Sequence, residues 1–217
     1  MIEQLLRLLD VPFFWELSRF GLDSAIGLYR RRQAVISEWG LLDGSPSVVD
    51  FGCGIGQYSS VTEGRYLGVD LHERYIRYAS ERRAKPGRDF RCMDITHLIE
   101  AAEKFDIVLM VDFLHHIDDE NCKKLLAVAA SIAKKGVVSF EPVTEQDNPI
   151  GQWIVDNDRG DYVRPLIELE RLFAESPLTI AENRPLKIGP ICTRAILARP
   201  PAKGGSTGKS SEALARV

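Results

Sequence analysis

The chain has 217 residues, of which 45% are hydrophobic and 27% are charged. This length and composition fit one compact domain with a substantial buried core rather than two domains. The formal net charge of −3 argues against a large basic surface for nucleic acid, whose phosphates require clustered Lys and Arg.

The cysteines and the N-terminal residues bear on the cellular compartment. The four cysteines lie far apart and form no C-x-x-C pair, so we predict neither a metal site nor a disulfide framework. Reduced thiols of this kind are typical of a cytoplasmic protein. The first apolar run contains charges and no small-residue cleavage site, so we expect no secretory signal, and no stretch is long enough to predict a membrane span.

The N-terminal part of the chain, residues 1–45, is predicted to form a helical cover. Apolar residues recur at helical spacing through residues 2–9 and 13–39, with interruptions at Pro12 and Gly21. The aromatic residues at 13–15 are candidates for a lid over a cleft. The basic run at residues 30–32 is interpreted as a solvated helix face, because one short run is a weak signal for a phosphate site.

From residue 46 onward, short apolar runs alternate with helical stretches, which predicts a parallel sheet built from right-handed crossovers. We predict strands at 48–51, 66–69, 90–93, 107–111 and 137–140. Helices are predicted at 72–83, 96–103 and 119–134, with residues 134–136 as a helix stop. Only eight residues separate Gly56 from Arg65, so the first crossover helix is predicted to have at most two turns.

The last third of the chain departs from this alternation. A polar insertion at 145–164 precedes a predicted helix at 166–175. Two strands at 178–188 and 191–198, joined by Gly189 and Pro190, are predicted to pair as an antiparallel hairpin. Residues 200–217 lack periodicity and are predicted to be a disordered tail, which leaves a core at 46–199 with an insertion at 142–165.

The first predicted strand ends in an acid, Asp50, followed by glycines at every second position, Gly52, Gly54 and Gly56. Glycine lets the backbone approach a ligand closely. A dinucleotide fingerprint would require glycine where the chain has Gln57, so this spacing disfavours a nicotinamide-dependent oxidoreductase.

Acids recur at or just beyond the ends of all five predicted parallel strands, at Asp50, Asp70, Asp94, Asp112 and Glu141. Open parallel sheets bind ligands beyond the carboxyl ends of their strands. A single acid there often caps the next helix, whereas five in register favour a ligand-binding rim.

The Asp-x-Gly-x-Gly-x-Gly motif after a strand resembles motif I of the class I S-adenosylmethionine-dependent methyltransferases. Residues 66–70, 91–95 and 105–117 resemble later segments of that family in the same order. The resemblance implies an α/β fold that is Rossmann-like and doubly wound, with a mostly parallel seven-stranded sheet whose last strand is reversed. It also implies S-adenosylmethionine as the cofactor and S-adenosylhomocysteine as the product.

The resemblance further implies roles for individual residues. The glycine loop would pass beneath the methionine part of the cofactor, Asp70 would accept hydrogen bonds from both ribose hydroxyls, and Asp94 would receive the adenine amino group between apolar neighbours. The predicted cofactor-binding residues are Asp50, Gly52, Cys53, Gly54, Gly56, Tyr58, Asp70, Leu71, Asp94, Ile95 and Asp112.

Candidate catalytic groups follow the fourth predicted strand. His115 and His116 are adjacent, so at most one is expected to face the cleft as a base, and packing or backbone hydrogen bonding is the alternative for each. Glu141 is the second candidate. The Asn/Asp-Pro-Pro-Tyr/Phe motif typical of nucleic-acid and protein amino-group methylation is absent here, which favours a small-molecule acceptor.

We therefore predict methyl transfer to a hydroxyl of a sugar, lipid or secondary metabolite. The alternatives are methylation of a small-molecule nitrogen, or a catalytically silent cofactor-binding partner. The segment at 158–165 resembles one in a bacterial subgroup of small-molecule methyltransferases. It is either an acceptor-binding loop or a salt-bridged turn that docks the last helix.

Overall fold

The structure is a computed structural model that describes Gly21 and residues 27–202. The predicted lid aromatics at 13–15 and most of the predicted tail lie outside these residues. Of the predicted N-terminal cover, the described part contains one helix, Leu28–Glu38.

The centre of the fold is a seven-stranded sheet in the order β3-β2-β1-β4-β5-β7-β6. Strands β1 to β5 are parallel, and β7 runs antiparallel to both of its neighbours, β5 and β6. This confirms the predicted Rossmann-like doubly wound sheet and its reversed last strand. The strands are β1 (Val48–Phe51), β2 (Tyr66–Asp70), β3 (Arg88–Cys92), β4 (Phe105–Val111), β5 (Ala133–Pro142), β6 (Thr179–Ile188) and β7 (Ile191–Arg199).

Helices cover both faces of this sheet. One cluster of buried side chains joins the sheet to the helices at Asp119–Ile132 and Leu166–Ala174, and a second joins the opposite face to the helix at Leu28–Glu38. Apolar burial on both faces explains why the central parallel strands, at 48–51, 66–70 and 105–111, are almost continuously apolar. The edge strand at 88–92 is largely charged and more exposed. The helices are α1 (Leu28–Glu38), α2 (Glu73–Arg83), α3 (His97–Glu100), α4 (Asp119–Ile132), α5 (Pro149–Asp156) and α6 (Leu166–Ala174), and a 3₁₀ helix spans Leu114–His116.

The connection between β1 and β2 corrects the prediction of a short crossover helix. Residues 52–65 are all described and contain no α-helix. Successive tight turns replace it, with hydrogen bonds from Gly56 N to Cys53 O, Ser59 N to Gly56 O and Val61 N to Tyr58 O. The connection is too short to give an α-helix its hydrogen-bonded turns and still return the chain to the sheet.

Two further elements differ from the prediction. The polar insertion contains α5, which begins at Pro149. Its N-cap is Asn148, whose side chain accepts a hydrogen bond from Gly151 N at 2.8 Å. Residues 134–136 are not a helix stop after α4, because that helix ends at Ile132 and the chain enters β5 at once, where Gly136 pairs with Ile107. Among the described residues, no helix combines the length and apolarity needed to cross a membrane.

Candidate functional site

A cavity of about 960 Å³ lies at the carboxyl ends of the parallel strands. This volume is at the upper end of the range of about 300–1,000 Å³ for small-molecule sites. Of the predicted site residues, all but Gly56 and Glu141 line the cavity. The parallel topology therefore brings together residues that lie more than 60 positions apart in the sequence.

The glycine loop after β1 is shaped by steric limits at two of its three glycines. A Cβ on Gly52 would lie 2.2 Å from the Phe113 ring, and one on Gly56 would lie 2.4 Å from the Phe90 ring. Both residues have positive φ, which glycine adopts without strain. Gly56 thus holds the loop against β3 instead of lining the cavity, whereas a Cβ on Gly54 would meet open space.

The carboxylate of Asp70, at the end of β2, is held by two backbone amides. Its Oδ2 accepts a hydrogen bond from Gly54 N at 2.9 Å, and its Oδ1 accepts one from His72 N at 2.8 Å. Each carboxylate oxygen retains a further lone pair. Asp70 is therefore fixed beside the glycine loop with acceptor capacity left for a ligand.

The next acid along the rim, Asp94, stands beside two apolar cavity residues. Its Oδ1 accepts hydrogen bonds from Thr96 N at 2.8 Å and Thr96 Oγ1 at 2.7 Å, and these bonds lower its pKa. Ile95 is buried, but Leu71 is 73% exposed. An exposed leucine beside a fixed carboxylate is suited to one face of a flat, partly polar ring.

Asp50 lies deeper, within β1, and is 2% exposed. It lines the cavity and accepts a hydrogen bond from Tyr66 Oη at 2.6 Å. Burial raises the pKa of its carboxyl from 3.8 to about 7, against the opposing effect of the Tyr66 hydrogen bond. Asp50 therefore changes charge near neutral pH.

Asp50→Asn is expected to stabilise the protein at pH 8 by roughly 2–4 kcal/mol. Because the carboxyl pKa is higher in the folded than in the unfolded state, the free energy of unfolding falls as the pH rises from about 4 to 7. Asn keeps an acceptor for Tyr66 without the buried charge. Chemical denaturation at pH 5 and pH 8 measures the effect, with exposed Asp89→Asn as the control. An equal difference from wild type at both pH values would contradict it.

Arg30 and Arg31 are exposed, as expected of a solvated helix face, but Arg32 departs from that interpretation of residues 30–32. Its side chain is buried and donates two hydrogen bonds to the Asp112 carboxylate, at 2.7 and 2.8 Å, and one to Tyr58 Oη at 3.3 Å. All three residues line the cavity. Asp112 has a φ of 49°, in the left-handed region that non-glycine residues rarely occupy. The ion pair is thus a built feature of the cavity wall.

Cys53 occupies a small position between Gly52 and Gly54 in the loop. It is 8% exposed, lines the cavity, and its Sγ contacts Gly54 O at 3.6 Å. Burial raises the pKa of its thiol, so it is a protonated, unreactive group of the wall.

His115 and Glu141 are buried and form a charged hydrogen-bonded network with Asp158, which is exposed. His115 Nδ1 lies 2.8 Å from Glu141 Oε2, and Nε2 lies 3.2 Å from Asp158 Oδ1. Burial acts to lower the pKa of His115, but the hydrogen bonds to Asp158 and Glu141 outweigh it and raise the pKa to about 10. The ring is therefore an imidazolium that donates from both nitrogens.

This geometry disfavours both His115 and Glu141 as the predicted base. An imidazolium bound on both sides has no lone pair for a proton. Glu141 is 1% exposed, and besides His115 it accepts hydrogen bonds from the backbone amides of Phe113, Leu114 and His115 at 2.9–3.3 Å. Its carboxylate binds the backbone amides at the start of the 3₁₀ helix and does not line the cavity.

His116 is the histidine with the properties of a base. It is exposed and lines the cavity, with its ring centroid 4.2 Å from that of His115. Partial burial, the charge of His115 and the charge of Arg159 lower its pKa from 6.5, against Asp158 and Glu141. His116 is therefore neutral at pH 7 and able to accept a proton.

His115, His116 and Asp158 lie close enough together to be candidate metal ligands. One ligand atom each from His115, His116 and Asp158 lie within 4.8 Å of one another. Metal binding requires a neutral imidazole, whereas the raised pKa of His115 keeps its proton in place. These three side chains therefore fit a hydrogen-bonded network better than a metal centre.

The segment at 158–164 docks onto the 3₁₀ helix, not onto the last helix. Arg164 is buried and donates to Leu114 O at 2.9 Å, to Ile117 O at 2.5 Å and to Asp119 Oδ1 at 2.8 Å. Asp158 binds His115 from the other end of the segment. The charges of this segment are thus partly structural, but Arg159, between them, lines the cavity.

Comparisons with known proteins were made on the sequence and on the fold. A family model described as a methyltransferase domain matches residues 48–136. A comparison with curated proteins found no match.

Several solved structures share the fold. Magnesium protoporphyrin IX methyltransferase (ChlM) from Synechocystis PCC 6803 with bound SAH has a TM-score of 0.62 at 19% identity, over 85% of this chain and 84% of that chain. The mitomycin 7-O-methyltransferase MmcR has a TM-score of 0.61 at 19% identity, over 74% and 50%. The [4+2]-cyclase SpnF has a TM-score of 0.62 at 15% identity, over 78% and 79%.

The family match covers the glycine loop, Asp70, Asp94 and the two histidines. It confirms the recognition of a class I S-adenosylmethionine-dependent methyltransferase, and with it the prediction that this protein is an enzyme. The TM-scores of the structural neighbours agree with the Rossmann-like methyltransferase fold.

Proposed function

We propose that this protein transfers the methyl group of S-adenosylmethionine to an oxygen of a small-molecule acceptor. One observation carries the proposal: a single cavity joins the glycine loop and Asp70 to His116, a histidine kept neutral at pH 7. A cofactor bound by the first group would present its methyl to an acceptor beside the second.

The cofactor end of the cavity fits an adenosyl group. Asp70 offers acceptors for ribose hydroxyls, Asp94 offers one for the adenine amino group, and Leu71 and Ile95 offer apolar contacts for the ring. Gly54 leaves open the space that a side chain would fill. SAH bound to the Synechocystis enzyme supports the same choice, and S-adenosylmethionine is the cofactor of this chain.

The amino-acid end of the cofactor is assigned to Arg32 and Asp112. That end carries a carboxylate and an ammonium group, and the Arg32–Asp112 pair presents a cation and an anion side by side at the cavity wall. Charge-assisted hydrogen bonds of this kind are about twice as strong as neutral ones. The predicted contact of Asp112 with the methionine end is retained in this proposal, with Arg32 added.

The chain's residues then have two tasks in the reaction. The sulfonium of the cofactor supplies an activated methyl group, so orientation of the acceptor and exclusion of water account for most of the barrier lowering. As the acceptor oxygen attacks the methyl carbon, its O–C bond forms, the C–S bond breaks and S-adenosylhomocysteine remains. His116 removes the hydroxyl proton during this step, which contributes about 10²–10⁴ in rate for a positioned base.

Two other functions fit parts of the site. A neutral amine acceptor attacks through its own lone pair and makes little demand on His116, so nitrogen methylation is the first alternative. The second alternative is a cofactor-binding protein that transfers no methyl group. It is suggested by the similarity to SpnF, a protein of this fold that is named for a different reaction, a [4+2] cyclisation. Such a protein would bind the cofactor in the same cavity without using it as a methyl donor.

Calorimetric titration followed by a label-transfer screen tests the proposal. We expect micromolar binding of S-adenosylmethionine and S-adenosylhomocysteine, no binding of NADH or NADPH, and transfer of a labelled methyl group to a hydroxylated small molecule. Transfer to amines alone would favour the first alternative. Binding without transfer to any acceptor would favour the second, and failure to bind either adenosyl ligand would overturn the proposal.

The cellular setting of the proposal follows from the chain's chemistry. All four cysteines are free thiols, which fits work in the cytoplasm. The net charge of −3 supports a small-molecule acceptor over nucleic acid.

A further inference from the structure

We infer that the acceptor carries an anionic group, which Arg159 and Lys124 bind while its hydroxyl lies beside His116. The inference rests on the proposed function and names the substrate class. We define the acceptor side as the part of the cavity lined by the 3₁₀ helix and Ile117 after it, α4, α5, residues 158–159, the end of β6 and the start of β7.

The charges lining the cavity are divided between its two sides. Carboxylates outnumber cations on the cofactor side, where Asp50, Asp70, Asp94 and Asp112 line the cavity together with Arg32 and Arg83, and Arg32 is paired with Asp112. This excess of carboxylates suits a cofactor with a positive sulfonium. Lys124 and Arg159 line the acceptor side. Among the described residues, the acceptor side has one carboxylate, Asp158, and that group is bound by the His115 imidazolium.

Arg159 is held in place by its neighbours in the chain. Asp158 binds His115 and also accepts a hydrogen bond from Gly160 N at 2.8 Å, and Tyr162 N donates to His115 O at 2.9 Å. Gly160 packs so closely that a Cβ there would lie 2.1 Å from His115 Cδ2. The guanidinium is also near enough to His116 to act on its charge. A cation on a fixed backbone loses little entropy when it binds an anion.

Lys124 lies on the face of α4 that lines the cavity. Asn121, three residues before it, and Leu125, the next residue, line the cavity too. Its present partner is Glu120, at 3.1 Å, and both side chains of this pair are more than half exposed. Exposed pairs of this kind contribute little to stability. Lys124 can therefore exchange Glu120 for an acceptor anion at small cost.

The remaining residues of the acceptor side are largely apolar. They come from the residue after the 3₁₀ helix, from α4 and α5, and from the end of β6 and the start of β7. These residues are Ile117, Leu125, Ile154, Val155, Ile188 and Ile191. An apolar body would bury against them, so the acceptor class is an amphiphilic hydroxy anion with a carboxylate, phosphate or sulfate group.

The test compares acceptor probes that share a skeleton and differ in charge. Protein saturated with S-adenosylhomocysteine is titrated calorimetrically with 12-hydroxydodecanoate, 12-hydroxydodecyl phosphate and methyl 12-hydroxydodecanoate, and with 4-hydroxycinnamate and its methyl ester. We expect at least one anion to bind at least tenfold more tightly than its neutral ester. The carboxylate and phosphate arms show which anionic group is preferred.

Variants locate the effect. The preference for the anion is expected to disappear in the double variant Arg159→Gln, Lys124→Gln and to persist in Lys123→Gln, which removes the same charge one residue away, outside the cavity lining. Equal binding of esters and anions, binding of no probe, or an unchanged preference in the double variant would overturn the inference.

The titrations test the anion preference, and the label-transfer screen tests the proposed function. An anion preference with no methyl transfer would support the inference and count against the function, whereas methyl transfer to neutral hydroxyl compounds without an anion preference would do the reverse. Folding of each variant is checked by its affinity for S-adenosylhomocysteine.

Discussion

His116→Ala is expected to lower kcat by about 10²–10⁴ while leaving the affinity for S-adenosylmethionine unchanged. His116 lines the acceptor side, where its ring lies against that of His115. Removing a base that acts only as the oxygen attacks affects the transition state and not cofactor binding. The measurement is steady-state transfer to a hydroxyl acceptor found in the label-transfer screen.

The pH profile and a chemical rescue separate a base from a merely structural histidine. Because the pKa of His116 is lowered, wild-type activity is expected to rise with pH through a midpoint below 6.5 and to be complete by neutral pH. The variant should lose this step, and added imidazole should restore part of its activity. His97→Ala, an exposed histidine outside the cavity lining, is the control. Full activity in His116→Ala would exclude His116 from the mechanism.

The parallel sheet was predictable because its signals are local. Each of β1, β2, β4 and β5 contains a short apolar run followed by a helical or turn segment, whereas β3 is largely charged. The prediction placed all five within four residues of their observed ends. The glycine spacing after Asp50 likewise depends on steric limits at Gly52 and Gly56 that any side chain would violate. Local sterics and periodicity are written directly into the sequence.

Helix α5 and Arg32 were missed although each has a sequence signal. Asn148 followed by Pro149 is a typical helix start, with an N-cap and a proline at the first position, but the polar composition of the insertion obscured it. Arg32 lies three and four residues before Val35 and Ile36, the buried face of α1. That spacing places it on the inner face, but the charge of the run suggested solvent.

The roles of His115, Glu141 and Asp158 could not be read from the sequence. Glu141 is 26 residues from His115, and Asp158 is a further 17 residues along, so their contact depends on the pairing of β4 with β5 and on where the segment at 158–164 docks. Adjacent histidines look alike in a sequence. The carboxylates around one of them make it a fixed imidazolium, and its charge helps keep the other neutral.

Asp70→Ala is expected to weaken S-adenosylmethionine binding by about 10²-fold or more. If each ribose hydroxyl donates to the carboxylate, two hydrogen bonds to a charged group are lost, at about 1.5–3 kcal/mol each. The variant also removes the acceptor of Gly54 N and His72 N, so the glycine loop loses the contact that fixes it beside β2. Both effects act in the same direction.

Calorimetry on a graded set of variants tests this role of Asp70. Asp70→Asn keeps one acceptor oxygen without the charge and should bind with intermediate affinity, whereas Asp89→Ala, exposed on β3 and outside the cavity lining, should bind like wild type. A melting curve for each variant shows whether the fold is retained. Unchanged affinity in Asp70→Ala would place the ribose elsewhere. The same loss in Asn and Ala would indicate that the negative charge, and not the number of acceptor oxygens, binds the cofactor.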